Sequence, residues 1–127
     1  MKGAVPKKLG PYSLGASARG LSLFFSSGET GTDPKTGKLE KGIAAQARRT
    51  LENIEAILLQ KGLSRRNVVK ATVYLTDLRN FAEFNGVYRR FFGESLPART
   101  CVGVSELVGG AFVEVEVVAS RKVGRWD

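Results

Sequence analysis

The sequence predicts an α+β domain in which two helices pack on one side of a β-sheet. Three observations carry that prediction. The 127 residues are 43% hydrophobic, enough for one core without disulfides or metals. Their apolar pattern runs strand, strand, helix, strand, helix, strand, strand. No repeat, low-complexity tract or linker separates two compositions, so residues 1–127 are expected to form a single domain.

A short strand is expected around Pro11 to Gly15 and a second from Leu21 to Ser26, where Leu21, Phe24 and Phe25 supply apolar and aromatic side chains. Ser27 to Gly37 is full of turn residues and reads as a loop. Its likeness to a phosphate loop is superficial. Counted from Gly31, the second glycine arrives one position late at Gly37, and Lys38 is followed by Leu39 rather than a magnesium-binding hydroxyl. From about Leu39 to Lys61, Ala44, Ala47, Leu51, Ile54 and Leu58 recur at helical steps. Arg48, Arg49, Glu52 and Glu55 point away from that stripe, and Gly62 stands where a helix-ending glycine belongs.

A strand follows in which residues 69, 71, 73 and 75 share an apolar face, opposite Lys70, Thr72 and Tyr74. Asn80-Phe-Ala-Glu83 has capping-box spacing and opens a second helix, with Phe81, Phe84, Tyr88 and Phe91 at helical steps before Gly93. The last strands run from about Arg99 to Val104 and Phe112 to Ala119. In the final one, Val113, Val115, Val117 and Ala119 face the helices, while Phe112, Glu114, Glu116 and Val118 face away. Two helices cover only one face of the sheet. The other face is mixed, as expected of a subunit contact that also holds polar groups.

Composition narrows the chemistry. There are 20 Lys+Arg against 12 Asp+Glu, a net charge of +8, no histidine and one cysteine. An internal disulfide, Ser-His-Asp or Cys-His catalysis, and zinc sites built on His or clustered Cys are excluded within one chain. No signal-peptide pattern and no membrane-spanning apolar window occurs, so a cytoplasmic protein with no membrane partner is expected, and the free thiol suits a reducing compartment. The basic balance admits nucleic acid, an anionic surface or small acidic metabolites, but its scattered doublets select none of them.

The linker Ser105 to Gly110 is short enough for an antiparallel hairpin. With Val104 opposite Ala111, that hairpin would place Cys101 opposite Glu114 and Arg99 opposite Glu116, with Arg99 and Cys101 on one face. Together these residues suit a small carboxylic acid attacked by water: arginine offers a planar fork for the carboxylate, and a partly desolvated glutamate can hold or activate the water. Plainer readings stay open. Arg99 pairs equally well with Glu116 as a cross-strand ion pair, Cys101 serves as a small buried hydrophobe, and both glutamates serve as a solvated strand face.

Several stretches, in order, carry a family resemblance: Gly10-Pro-Tyr-Ser13, Ser27-Gly28, the Gln46 to Leu58 helix, Val68-Val-Lys-Ala-Thr-Val-Tyr-Leu75, Phe84-Asn-Gly-Val-Tyr88, Pro97-Ala-Arg99, Cys101-Val102 and Val113-Glu-Val-Glu116. Over roughly residues 10 to 120 the chain resembles the Rid family, also called YjgF/YER057c/UK114. Residues 1–8 and 120–127 lie outside the match. The resemblance implies a chorismate-mutase-like fold and homotrimers with sites in the clefts between subunits. It also implies hydrolysis of reactive enamines and imines, such as 2-aminoacrylate, to 2-keto acids and ammonia, without metal or cofactor.

By that resemblance Arg99 grips the substrate carboxylate, Cys101 lines the pocket, Glu114 orients or activates water, and Tyr12 closes the site. Gly28 and Asn85 match positions nearby. Relatives read Ser-Gly-Gln where this chain has Ser27-Gly28-Glu29, which adds a negative charge beside the expected pocket. The family also contains members assigned ribonuclease activity and others that bind ligands or partners, so 2-keto-acid binding without turnover and, less favoured, RNA binding or cleavage are the alternatives.

Overall fold

The computed structural model describes residues 3–8, 10–18 and 22–121. Strands β1 (Gly15–Ala18), β2 (Leu23–Ser26) and β3 (Glu29–Thr30) lead into helix α1 (Ile43–Gln60). Strand β4 (Val68–Leu75), helix α2 (Phe81–Phe92), β5 (Ala98–Gly103) and β6 (Val113–Ser120) follow. The six strands form one sheet in the order β1-β2-β6-β4-β5, with β3 also paired to β6.

The α+β architecture follows from the two periodicities. Ala47, Leu51, Ile54 and Leu58 of α1 are fully buried, as are Ala71, Val73 and Leu75 of β4 and Val113 and Val115 of β6. A stripe at 3.6-residue spacing thus lies on a face at two-residue spacing. Gly62 ends α1 as its position predicts: at φ 73° it donates its amide to Leu59 O, and Leu63 donates to Leu58 O, the paired bonds of a glycine-terminated helix.

Several expectations are corrected. The first strand begins at Gly15 rather than ending there, and β2 begins at Leu23; Leu21 lies outside the described residues. The Ser27 to Gly37 loop contains β3, two residues too short to leave a periodic signal. A register shift between Val68 and Lys70 buries Val68 in place of Val69, because a bulge resets the alternation. The Asn80 capping box does not form. Asp77 instead accepts from the Arg79 amide and caps the short turn that leads into α2. Phe81 is exposed, and Phe91 is half-buried beneath the Arg65 guanidinium, 3.9 Å from the ring centroid.

The largest correction concerns the last two strands, which do not pair. β4 lies between them, parallel to β5 and antiparallel to β6. Parallel neighbours need a crossover element, and α2 supplies it. The 104–112 segment then carries the chain over the end of β4, with Val104 donating to Leu75 O and Thr76 to Phe112 O.

Candidate functional site

The β4-centred order divides the expected site between the two faces of the sheet. Side chains of directly opposed residues project to the same side. Arg99 stands beside Ala71 and Cys101 beside Val73, and both β4 residues are fully buried toward the helices. Glu114 stands opposite Tyr74, and Glu116 opposite Thr72, on the uncovered face. Arg99 and Glu114 of one chain therefore cannot converge on one ligand. The cross-strand pair of Arg99 with Glu116 is likewise absent, since Glu116 instead accepts a 2.6 Å hydrogen bond from the Tyr74 hydroxyl.

On the helix side, Arg99 Nη1 donates to Asn85 Oδ1 at 2.9 Å. The Tyr88 ring lies 4.8 Å and the Phe81 ring 5.6 Å from the guanidinium carbon. Asn85, Tyr88 and Phe81 sit at helical spacing on α2 and so frame one side chain from the neighbouring strand. Among the described residues, no carboxylate forms an ion pair with Arg99. Its charge is oriented by a neutral amide and remains available to an anion. Cys101, two residues on, shares this face and packs partly against the core. Burial pushes its thiol above the usual range and the Arg99 charge offsets only part of that, so the thiol stays protonated at neutral pH and does not act as a nucleophile.

On the other face, Glu114 is half-buried, and burial together with the Glu116 charge raises its proton affinity. Gly28 makes room for it: a β-carbon there would lie 2.1 Å from Glu114 Oε2. Ser27, next along, donates its amide to Leu14 O at 2.7 Å and its hydroxyl to Ser13 O. These bonds hold the segment carrying Tyr12 beside the Gly28–Glu114 contact. Tyr12 itself is exposed. The structure thus forms two groups, Arg99 with Asn85 and Cys101, and Glu114 with Gly28 and the Tyr12 segment.

Sequence reasoning gave no site role to three neighbours of these groups, Tyr88, Phe81 and Tyr74. Tyr88 and Phe81 were visible only as an aromatic stripe, which core packing explains equally well. Tyr74 was assigned to the polar face of its strand without a role; the Glu116 hydrogen bond, burial and nearby carboxylates push its hydroxyl up to about 12. Glu29 is buried at 6% exposure with Oε2 unpartnered. No helix of the described residues is long and apolar enough to cross a membrane.

A family model described as endoribonuclease L-PSP matches residues 3–121. A RutC family protein of Pyrococcus horikoshii is 46% identical over 118 residues, covering 92% of each chain. The 2-iminobutanoate/2-iminopropanoate deaminase of Salmonella typhimurium is 40% identical over 120 residues, again covering 92% of each. Among solved structures, Escherichia coli TdcF with bound serine superposes with a TM-score of 0.89 at 38% identity, covering 94% of each chain. The fold is therefore the chorismate-mutase-like fold of these neighbours. The chain belongs to the YjgF/Rid family, to which the endoribonuclease L-PSP model corresponds.

Proposed function

We propose that this protein hydrolyses small 2-imino acids and their enamine tautomers to 2-keto acids and ammonia, at sites formed where the Arg99 side of one subunit meets the Glu114 side of the next in a homotrimer. The observation that carries this reading is the Arg99 guanidinium, fixed by neutral Asn85 and paired with no described carboxylate. It suits a ligand carboxylate. The deaminase name of a 40% identical relative and the serine bound to TdcF support the reaction and the ligand size.

In this mechanism Arg99 binds the carboxylate, and Cys101 lines the pocket as a protonated, apolar wall. Tyr12 closes the site. Glu114, ionised, accepts a proton from water as the water oxygen bonds to the imine carbon and the C=N π pair moves to nitrogen. Glu114 then returns this proton to the nitrogen, giving a tetrahedral carbinolamine; its hydroxyl proton passes to the same nitrogen by way of Glu114, and the carbonyl forms as the C–N bond breaks and ammonia leaves, with Glu114 ionised again. Imine plus water balances keto acid plus ammonia. A carboxylate with raised proton affinity is a better acceptor for that first proton, and pre-oriented groups supply the rest of the rate.

The test generates 2-aminoacrylate in situ and follows its conversion to pyruvate and ammonia. The parent protein is expected to accelerate its loss and Glu114→Gln to abolish most of the acceleration. No acceleration by the parent rejects catalysis, and saturable pyruvate binding in that case identifies a binding module instead. Gly28→Ala gives a finer check. Its β-carbon meets the flexible end of Glu114, so the expected result is a native fold with kcat lowered about tenfold or more through a displaced carboxylate.

A further inference from the structure

Glu29 is a buried acid that the mechanism above does not use. It follows Gly28, the residue against which Glu114 rests, and in the β3–β6 ladder it stands opposite Val115 while Thr30 stands opposite Glu114. Alternation places Gly28 and Thr30 on the Glu114 face and Glu29 on the α1 side, so the two acids stand on opposite faces of the sheet at neighbouring register positions. Glu29 is 6% exposed, and its Oε2 is buried without a hydrogen-bond partner. A buried carboxylate without donors is costly, whereas a neutral carboxylic acid is tolerated.

Among the described residues, no cation forms an ion pair with Glu29. From α1, the buried polar side chains are neutral Gln46, Thr50 and Asn53. Gln46 bonds to Glu40 O and the Phe112 amide, Thr50 donates to Gln46 O, and Asn53 donates to Thr30 O and Thr32 O. Arg49, the nearby cation of α1, is engaged by Glu40, Asp33 and Glu52. From β6 come Glu114 and, beyond it, Glu116, with Tyr74 of β4 bonded to the latter. From β2, Ser26 is neutral, and its hydroxyl accepts from the Val117 amide.

We propose that Glu29 is an electrostatic positioning residue for the Glu114 site: protonated, it leaves Glu114 with the local negative charge, and ionised, it places a second negative charge behind Glu114 and strengthens Glu114's hold on a proton. This deepens the proposed function and, as regulation of turnover, rests on it. Burial, and then the Glu114 charge, raise the Glu29 carboxyl to about 7, so the exchange falls in the neutral range. The site thereby gains a response to neutral pH without a histidine, which this chain lacks.

Carboxyl 13C NMR titration of the parent, Glu29→Gln and Glu114→Gln tests the pair independently of catalysis. In the parent, the Glu29 resonance is expected to titrate near neutrality. In Glu114→Gln the Glu29 midpoint is expected to fall by about half a pH unit or more, because the Glu114 charge is one of the causes that raise it. The parent and Glu29→Gln are then assayed for imine hydrolysis between pH 6 and 8, where kcat/KM of the parent shows an inflection that Glu29→Gln lacks; a purely structural role would lower the rate uniformly. A Glu29 midpoint in the ordinary carboxyl range, a Glu29 midpoint unmoved in Glu114→Gln, or an unchanged pH profile would each overturn the proposal. Parent protein that shows the coupled titration but no imine hydrolysis upholds the acid pair and rejects the deaminase reading.

Discussion

Arg99→Ala is expected to lower kcat/KM for imine hydrolysis by on the order of 100-fold, about 2.7 kcal/mol of transition-state stabilisation. Arg99 is held by the Asn85 oxygen at 2.9 Å and framed by the Tyr88 and Phe81 rings, so its planar fork is presented in one orientation. Arg99→Lys restores the charge without the fork or the stacking and should recover little. The ligand-free fold should remain intact, because Arg99 contributes no ion pair among the described residues. Far-ultraviolet circular dichroism and steady-state kinetics check both halves, and activity of Arg99→Ala equal to the parent removes arginine from the site.

The second large effect is on stability. The folded protein holds the Glu29 proton more tightly than the unfolded chain, with a value of about 7 against an ordinary 4.5. Between these values the native state binds more protons, so stability falls as pH rises. The contribution is fully present below about 4.5 and lost as pH rises through 7. Its size is roughly 3 kcal/mol, from the product of the shift and ~1.4 kcal/mol per unit. Glu29→Gln removes this dependence. Relative to the parent, the variant should gain roughly 3 kcal/mol between pH 4 and pH 8 in denaturant titrations at fixed protein concentration. Glu114 is shifted in the same direction, but it is common to both proteins and largely cancels from the difference. A constant difference across that range contradicts a buried, proton-holding Glu29.

The parts of the fold legible in the sequence were those fixed by local periodicity. Ala47, Leu51, Ile54 and Leu58 announced α1, and Val113, Val115 and Val117 announced the helix-facing side of β6. The strand order was not legible. A short linker between two strands is compatible with a hairpin, and only the sheet shows that β4 is inserted between β5 and β6. That single error carried Arg99 and Cys101 onto the wrong face.

The site was legible as residue types and as family pattern. Arg99 with Cys101 and Glu114 with Gly28 each sit together as pattern or spacing suggested. Their separation across the sheet was not legible, because alternation fixes which residues share a face within one strand but not which face meets the helices. Glu29 was visible as an unusual charge, yet its burial against α1 depends on the two-residue strand that leaves no periodic trace.

The central claim is that Arg99 and Glu114 act on one substrate only when supplied by different chains. Mixing Arg99→Ala and Glu114→Gln protein, unfolding and refolding them together, and assaying imine hydrolysis tests it most directly. Each variant alone is expected to be nearly inactive. In a 1:1 mixture assembled at random, about one junction in four combines an intact Arg99 with an intact Glu114, so about a quarter of parental activity should return. A mixture as inactive as its components would contradict the shared site.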